Sequence, residues 1–169
     1  ESTDSAWVSG GIGYKYTIET RKDNLKYLEY NVQYPVFENN KVLNKAVKDN
    51  AISSLSNMIE TLEPEWEEMS SIQGMDDYPP FEYIESVENV FDSESFISIL
   101  SDNYAYPGGA HGYPMKKTIT YSKEKNKIVN ISEAAGMSLE RISRLCYDCL
   151  LSSMEAYDLN DIEWIQNGT

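Results

Sequence analysis

One imidazole, two thiols and an excess of carboxylates are the groups in this chain that could do chemistry. His111 is the only histidine among 169 residues, so any imidazole-activated nucleophile must depend on it. No serine stands in a nucleophile-elbow motif, and both cysteines lie on a separate helical segment. Acyl transfer of the Ser-His-Asp or Cys-His kind therefore finds no support. Among 28 Asp and Glu residues, nothing in linear spacing singles out a pair for glycoside hydrolysis. A phosphate cradle needs glycines that open a helix, whereas Gly108-Gly109-Ala110-His111-Gly112 opens a strand. Cys146 and Cys149 with one remote histidine fall short of a four-ligand zinc site. They also lie inside a helical pattern rather than at a helix N-terminus after a strand, so they read as buried or half-buried structural thiols. Asp76-Asp77 lacks the spacing and closing glutamate of an EF-hand and reads as loop. The chain calls for no metal and no cofactor, and it reads as non-catalytic.

The same residues suit binding better. The run Asp102-Asn103-Tyr104-Ala105-Tyr106-Pro107-Gly108-Gly109-Ala110-His111-Gly112-Tyr113-Pro114 lies between two strand-like segments, 96–100 and 117–121. Its glycines allow positive φ and close approach of a partner to the backbone, while the prolines stiffen the flanks. Tyr104, Tyr106 and Tyr113 offer rigid amphipathic area, and His111 offers one directional hydrogen bond. The candidate binding residues are Tyr104, Tyr106, Pro107, Gly108, Gly109, Ala110, His111, Gly112 and Tyr113. A competing reading makes the run a tight internal corner, its glycines demanded by φ and its histidine satisfied by carbonyls. Accessibility of Tyr104, Tyr106, His111 and Tyr113 separates the two readings.

The run Tyr106-Pro107-Gly108-Gly109-Ala110-His111-Gly112-Tyr113 resembles the signature of an extracytoplasmic bacterial domain family found in RsiV-like anti-sigma factors and in the non-catalytic part of PdaC-type deacetylases. Similar order extends over roughly residues 14 to 165. The RsiV branch senses lysozyme by binding it, so the resemblance implies a cationic protein such as a c-type lysozyme as partner. The PdaC branch implies a second class, peptidoglycan fragments, recognised by a module accompanying cell-wall enzymes. Relatives continue past the last helix into a further strand pair, whereas this sequence ends at Asn167-Gly168-Thr169. The family's C-terminal contacts are accordingly not transferred to it.

Charge agrees with a cationic partner. The formal net charge is -14, and it lies in one block: between Asp49 and Met115 there are fourteen Asp and Glu and no Lys or Arg. Such a block disfavours nucleic acid and anionic membranes, which need basic residues to replace counterions. It speeds encounter with a positive partner and rejects wrong ones, or it serves as a solvated face. No stretch approaches the roughly 20 apolar residues of a membrane span. A start at Glu1-Ser2-Thr3 without Met fits a removed signal or anchor and an extracytoplasmic setting, secreted, periplasmic or surface-anchored.

Around the glycine-rich run the elements are those of an α+β domain, in the order β-β-α-β-β-β-β-α, an antiparallel sheet packed against two helices. Residues 1–10 read as a flexible leader and 11–169 as a single domain; relative to the family, either the sequence is cut short of the C-terminal strand pair or the sheet is completed differently. Leu28, Tyr30, Val32, Tyr34 and Val36 alternate with polar residues, and Pro35 marks an edge or a strand terminus. Asn39-Asn40 caps a helix whose apolar stripe is Leu43, Val47, Ala51, Leu55, Met58 and Leu62. Pro64 predicts a break or kink unless it opens a new first turn. Residues 81–91 predict a strand with a bulge, and 116–122 with 127–131 predict a hairpin. A last helix runs from Ser138 to Tyr157, with a stripe of Leu139, Ile142, Leu145, Cys146, Cys149 and Leu150.

Overall fold

The computed structural model describes residues 14–72 and 79–153. The leader, Asp76-Asp77, the helix end at Tyr157 and the chain's last residues lie outside the described residues. The chain divides into two compact units, Glu1–Ile128 and Val129–Thr169.

Strands β1 (Tyr16–Asn24) and β2 (Leu28–Phe37) form a hairpin, closed where the Leu25 amide donates to the Leu28 carbonyl at 2.9 Å. Helix α1 (Lys41–Ser70) then crosses to β3 (Phe81–Asp92), followed by β4 (Phe96–Tyr106), β5 (Tyr113–Ser122) and the short β6 (Lys127–Val129). The six strands lie in sequence order. The pairs β1–β2, β3–β4 and β4–β5 are antiparallel, and β2–β3 is parallel. A helical crossover returns the chain to the end of the sheet where β2 began, so β3 must run alongside β2 rather than against it. β2 meets β3 only from Leu28 to Val32. Pro35 therefore stands where β2 has one neighbour, and its missing N–H costs no bond on the β3 side.

One face of the sheet carries α1 and the core. Leu28, Val32, Leu43, Phe81, Ile97 and Ile99 are all essentially inaccessible, each contributing about 1.5–3 kcal/mol of burial. Asn40 caps α1 by accepting from the Leu43 amide at 3.0 Å. Asn44 ties the helix to the end of β2, since its amide accepts from the Phe37 N–H and donates to the Phe37 carbonyl, both at 2.8 Å. The stripe on α1 is Leu43, Val47, Ala51, Leu55, Leu62 and Trp66, with Met58 half-buried. Pro64 neither breaks the helix nor opens a new one. Pro64 and Glu60 both lie on the wet face of α1, where water can satisfy the Glu60 carbonyl that loses its intrahelical donor. The bulge in β3 is present as a register shift between Val87 and Asn89.

The second unit holds α2 (Ile131–Ala135) and α3 (Leu139–Ser153). Asn130 and Glu133 form a capping box on α2, and Gly136, at φ 62°, ends it in the left-handed region. Ser138 caps α3 by accepting from the Arg141 amide at 3.3 Å. Cys146 and Cys149 are free and exposed, not buried. Leu139 and Leu145 on the same stripe are exposed as well. Within this unit the described partner of α3 is a helix of five residues, too short to cover a stripe running the length of α3.

Candidate recognition hairpin

Strand β4 alternates without a break along its eleven residues: Ile97, Ile99, Ser101, Asn103 and Ala105 are buried, and the residues between them are half-exposed. The buried set faces α1, so Tyr104 and Tyr106 face away from it. In β5, Tyr113 stands opposite Ala105, Met115 opposite Asn103 and Lys117 opposite Ser101, which puts these three on the α1 side. The three tyrosines of the glycine-rich run are thus divided between two faces and do not surround one point.

Six residues, Pro107 to Gly112, connect the strands. Gly108 at φ 90° and Gly109 at φ 92° occupy a region that side chains rarely adopt. Gly112 is small for another reason. A Cβ there would lie 2.6 Å from Cε2 of Tyr104 and closer still to Cζ and Oη. Tyr106 braces the loop from the same side, its hydroxyl donating to the Gly109 carbonyl at 2.8 Å. Tyr104, Tyr106, Pro107, Gly108 and Gly112 are half-buried, and Gly109, Ala110, His111 and Tyr113 are exposed. The nine candidate residues therefore separate into a brace and a crown. In the crown, the His111 ring meets the Tyr113 ring edge-on, with centroids 5.9 Å apart. Its Nδ1 lies 3.4 Å from the Gly112 carbonyl oxygen, a long contact. Among the described residues no carboxylate, thiol or hydroxyl is hydrogen-bonded to His111.

Beneath this hairpin lies a polar cluster that reasoning from motifs missed. Glu85 on β3 is 4% exposed. Its Oε2 accepts from the Tyr83 hydroxyl at 2.9 Å, Asn103 Nδ2 at 3.0 Å and Lys117 Nζ at 3.2 Å. Lys117 also donates to Ser54 Oγ on α1 at 2.8 Å. Burial, and then the Glu85 charge, push the Tyr83 phenol well above the usual tyrosine range. The signal that marks these residues is parity: Glu85 shares it with Phe81 and Tyr83, and Lys117 with Ile119 and Tyr121. On the opposite face Lys116 pairs with Asp102 and with Glu88. Hydrogen bonds to Asp102 first, and to Glu88, hold its ammonium above the ordinary lysine range.

The acidic block does not form one surface. Glu85 and Asp92 are paired with Lys117 and Lys123. Glu60, Glu63, Glu65, Glu67 and Glu68 lie exposed along α1, and Glu82 stands half-exposed opposite Tyr106. Among the described residues no group of three or more His, Cys, Asp or Glu side chains is placed to hold a metal ion.

A model of the family described as Deacetylase PdaC matches residues 21–114, which spans β2, α1, β3, β4 and the glycine-rich loop. A DUF3298 family protein from Pseudomonas aeruginosa PAO1 superposes with a TM-score of 0.50 at 14% identity, over 92% of this chain and 71% of the other. A DUF3298 family member from Bacteroides fragilis NCTC 9343 gives 0.49 at 14% identity, over 96% and 74%. At that identity the first of these speaks for the fold. No curated protein matches the chain.

Proposed function

The chain belongs to the PdaC deacetylase family. We propose that it is an extracytoplasmic, non-catalytic binding module whose hairpin crown contacts a cationic protein such as a c-type lysozyme. The observation that carries this reading is the built loop. Tyr104 and Tyr106 back the loop from one face, while Gly109, Ala110 and His111 within it and Tyr113 at the first position of β5 are exposed. A rigid exposed tip loses little conformational freedom on binding, and that economy is what recognition loops require. The resemblance of Tyr106-Pro107-Gly108-Gly109-Ala110-His111-Gly112-Tyr113 to the lysozyme-sensing branch supplies the partner. The exposed glutamates of α1 supply only the sign of its charge.

The resemblance of the glycine-rich run to the non-catalytic part of PdaC-type deacetylases implies a second reading, recognition of peptidoglycan fragments beside a cell-wall enzyme. Sugars would stack on Tyr113 and carry little charge. Titration with lysozyme and with muropeptides, each at low and at moderate salt, separates the two. Lysozyme binding that weakens as salt rises supports the first reading. Salt-insensitive muropeptide binding supports the second. Absence of both would remove the binding-module reading altogether.

A further inference from the structure

We infer that Lys117 is a positioning residue for the hairpin crown, through a strut that joins strand β5 to helix α1 by way of Ser54 and to strand β3 by way of Glu85. The need for it follows from the sheet's edge. β5 has ten residues, and its outer neighbour β6 has three. β6 follows β5 through Lys123 to Asn126, so it pairs with the end of β5 remote from the loop. Among the described residues the loop-proximal half, Tyr113 to Lys117, is paired with β4 alone. Tyr113, Pro114, Met115 and Lys116 are exposed there, so packing adds little.

Lys117 is the one residue of β5 whose side chain hydrogen-bonds to α1 among the described residues, with Nζ 2.8 Å from Ser54 Oγ and 3.2 Å from Glu85 Oε2. Glu85 cannot yield easily, because Tyr83 and Asn103 hold the same oxygen. The ammonium is therefore fixed from two layers. Lys117 is four residues from Tyr113, and an extended strand carries that constraint to the crown with little slack. Without the strut, Tyr113 and the His111 ring that meets it edge-on would be held through β4 and through the exposed Lys116–Glu88 pair, which water screens.

The inference concerns the pose of the tip and is tested on the free protein, so its failure is distinguishable from failure of the proposed partner. The variant is Glu85→Gln with Lys117→Met, which removes the strut and leaves no buried charge unpaired. Hydrogen exchange is followed in peptides covering 103–118 and 28–37, and the His111 ring resonances are recorded alongside. The strut predicts exchange at least about threefold faster in 103–118, unchanged exchange in 28–37, and shifted His111 resonances. Unchanged exchange and resonances in a folded double variant would overturn it. So would an equal rise in both peptides, which marks a general loss of stability. Should the double variant not fold, Ser54→Ala removes the α1 anchor alone and is judged by the same two readouts.

Discussion

The ring of Tyr104 occupies the space that a side chain on Gly112 would need, so the last residue of the loop is a glycine because of a residue eight positions earlier. Gly112→Ala should displace that ring and loosen the brace, at a cost of about 1–3 kcal/mol by overpacking. Melting should fall by about 2–4 °C per kcal/mol for a chain of this size. Tyr104→Leu combined with Gly112→Ala should recover part of the loss, because the smaller side chain vacates the space. A melting temperature unchanged by Gly112→Ala alone would show that the contact is not close in solution.

Breaking one half of the buried pair should cost more than removing both halves. Lys117→Met leaves the Glu85 carboxylate, 5% exposed at its side chain, without an opposite charge. The expected loss is about 3 kcal/mol, at the low end of the range for such pairs because the Lys117 side chain keeps 30% exposure. Adding Glu85→Gln should return most of it, since no charge is then stranded. Urea midpoints of the two variants check the order.

Alkaline titration should unfold the domain before its inner phenols ionise freely. Tyr83, Tyr34 and Tyr16 are all raised above their ordinary value of 10.0, in each case chiefly by burial. A raised phenol favours the protonated form in the folded state, so the unfolded chain releases protons first as pH climbs. The stability this represents is whole below about pH 10 and is lost progressively above it. Tyrosinate absorbance should therefore rise partly with an ordinary titration and partly with the cooperative loss of circular dichroism. Full titration while the fold persists would contradict the burial of Tyr83.

Pro64 sits inside a continuous helix with its ring on the wet face, at the cost of one intrahelical bond. Replacing it with alanine should restore the donor to the Glu60 carbonyl and raise stability, by about 1–3 kcal/mol. Chemical denaturation of Pro64→Ala measures it directly. A loss of stability would mean that the helix bends at Pro64 to keep Leu62 and Trp66 buried together.

Much of this is legible in the sequence, and the reasons are local. The stripe from Leu43 to Leu62 and the alternation from Leu28 to Tyr34 are periodic signals that burial enforces directly. The parallel pairing of β2 with β3 is not local, because a half-buried strand alternates alike beside either kind of neighbour; only the crossover through α1 decides it. Glu85 and Lys117 look like solvent-facing residues until the register brings them to 3.2 Å across 32 positions. Proximity in sequence groups Tyr104 and Tyr106 with Tyr113, whereas strand alternation and the pairing of Tyr113 with Ala105 put them on opposite faces. Cys146 and Cys149 lie on the helix that their spacing predicts but are exposed rather than buried, because a stripe alone does not say what surface meets it.

The crown and the brace make different predictions about binding, and one comparison decides the central reading. Affinity for c-type lysozyme is measured by calorimetry at low salt for the parent domain and for His111→Ala with Tyr113→Ala, two exposed residues whose removal leaves the loop's supports in place. The account predicts that the parent binds and that the double variant melts as the parent does but binds at least about tenfold more weakly. Undiminished binding by that variant, or no binding by the parent, would contradict it.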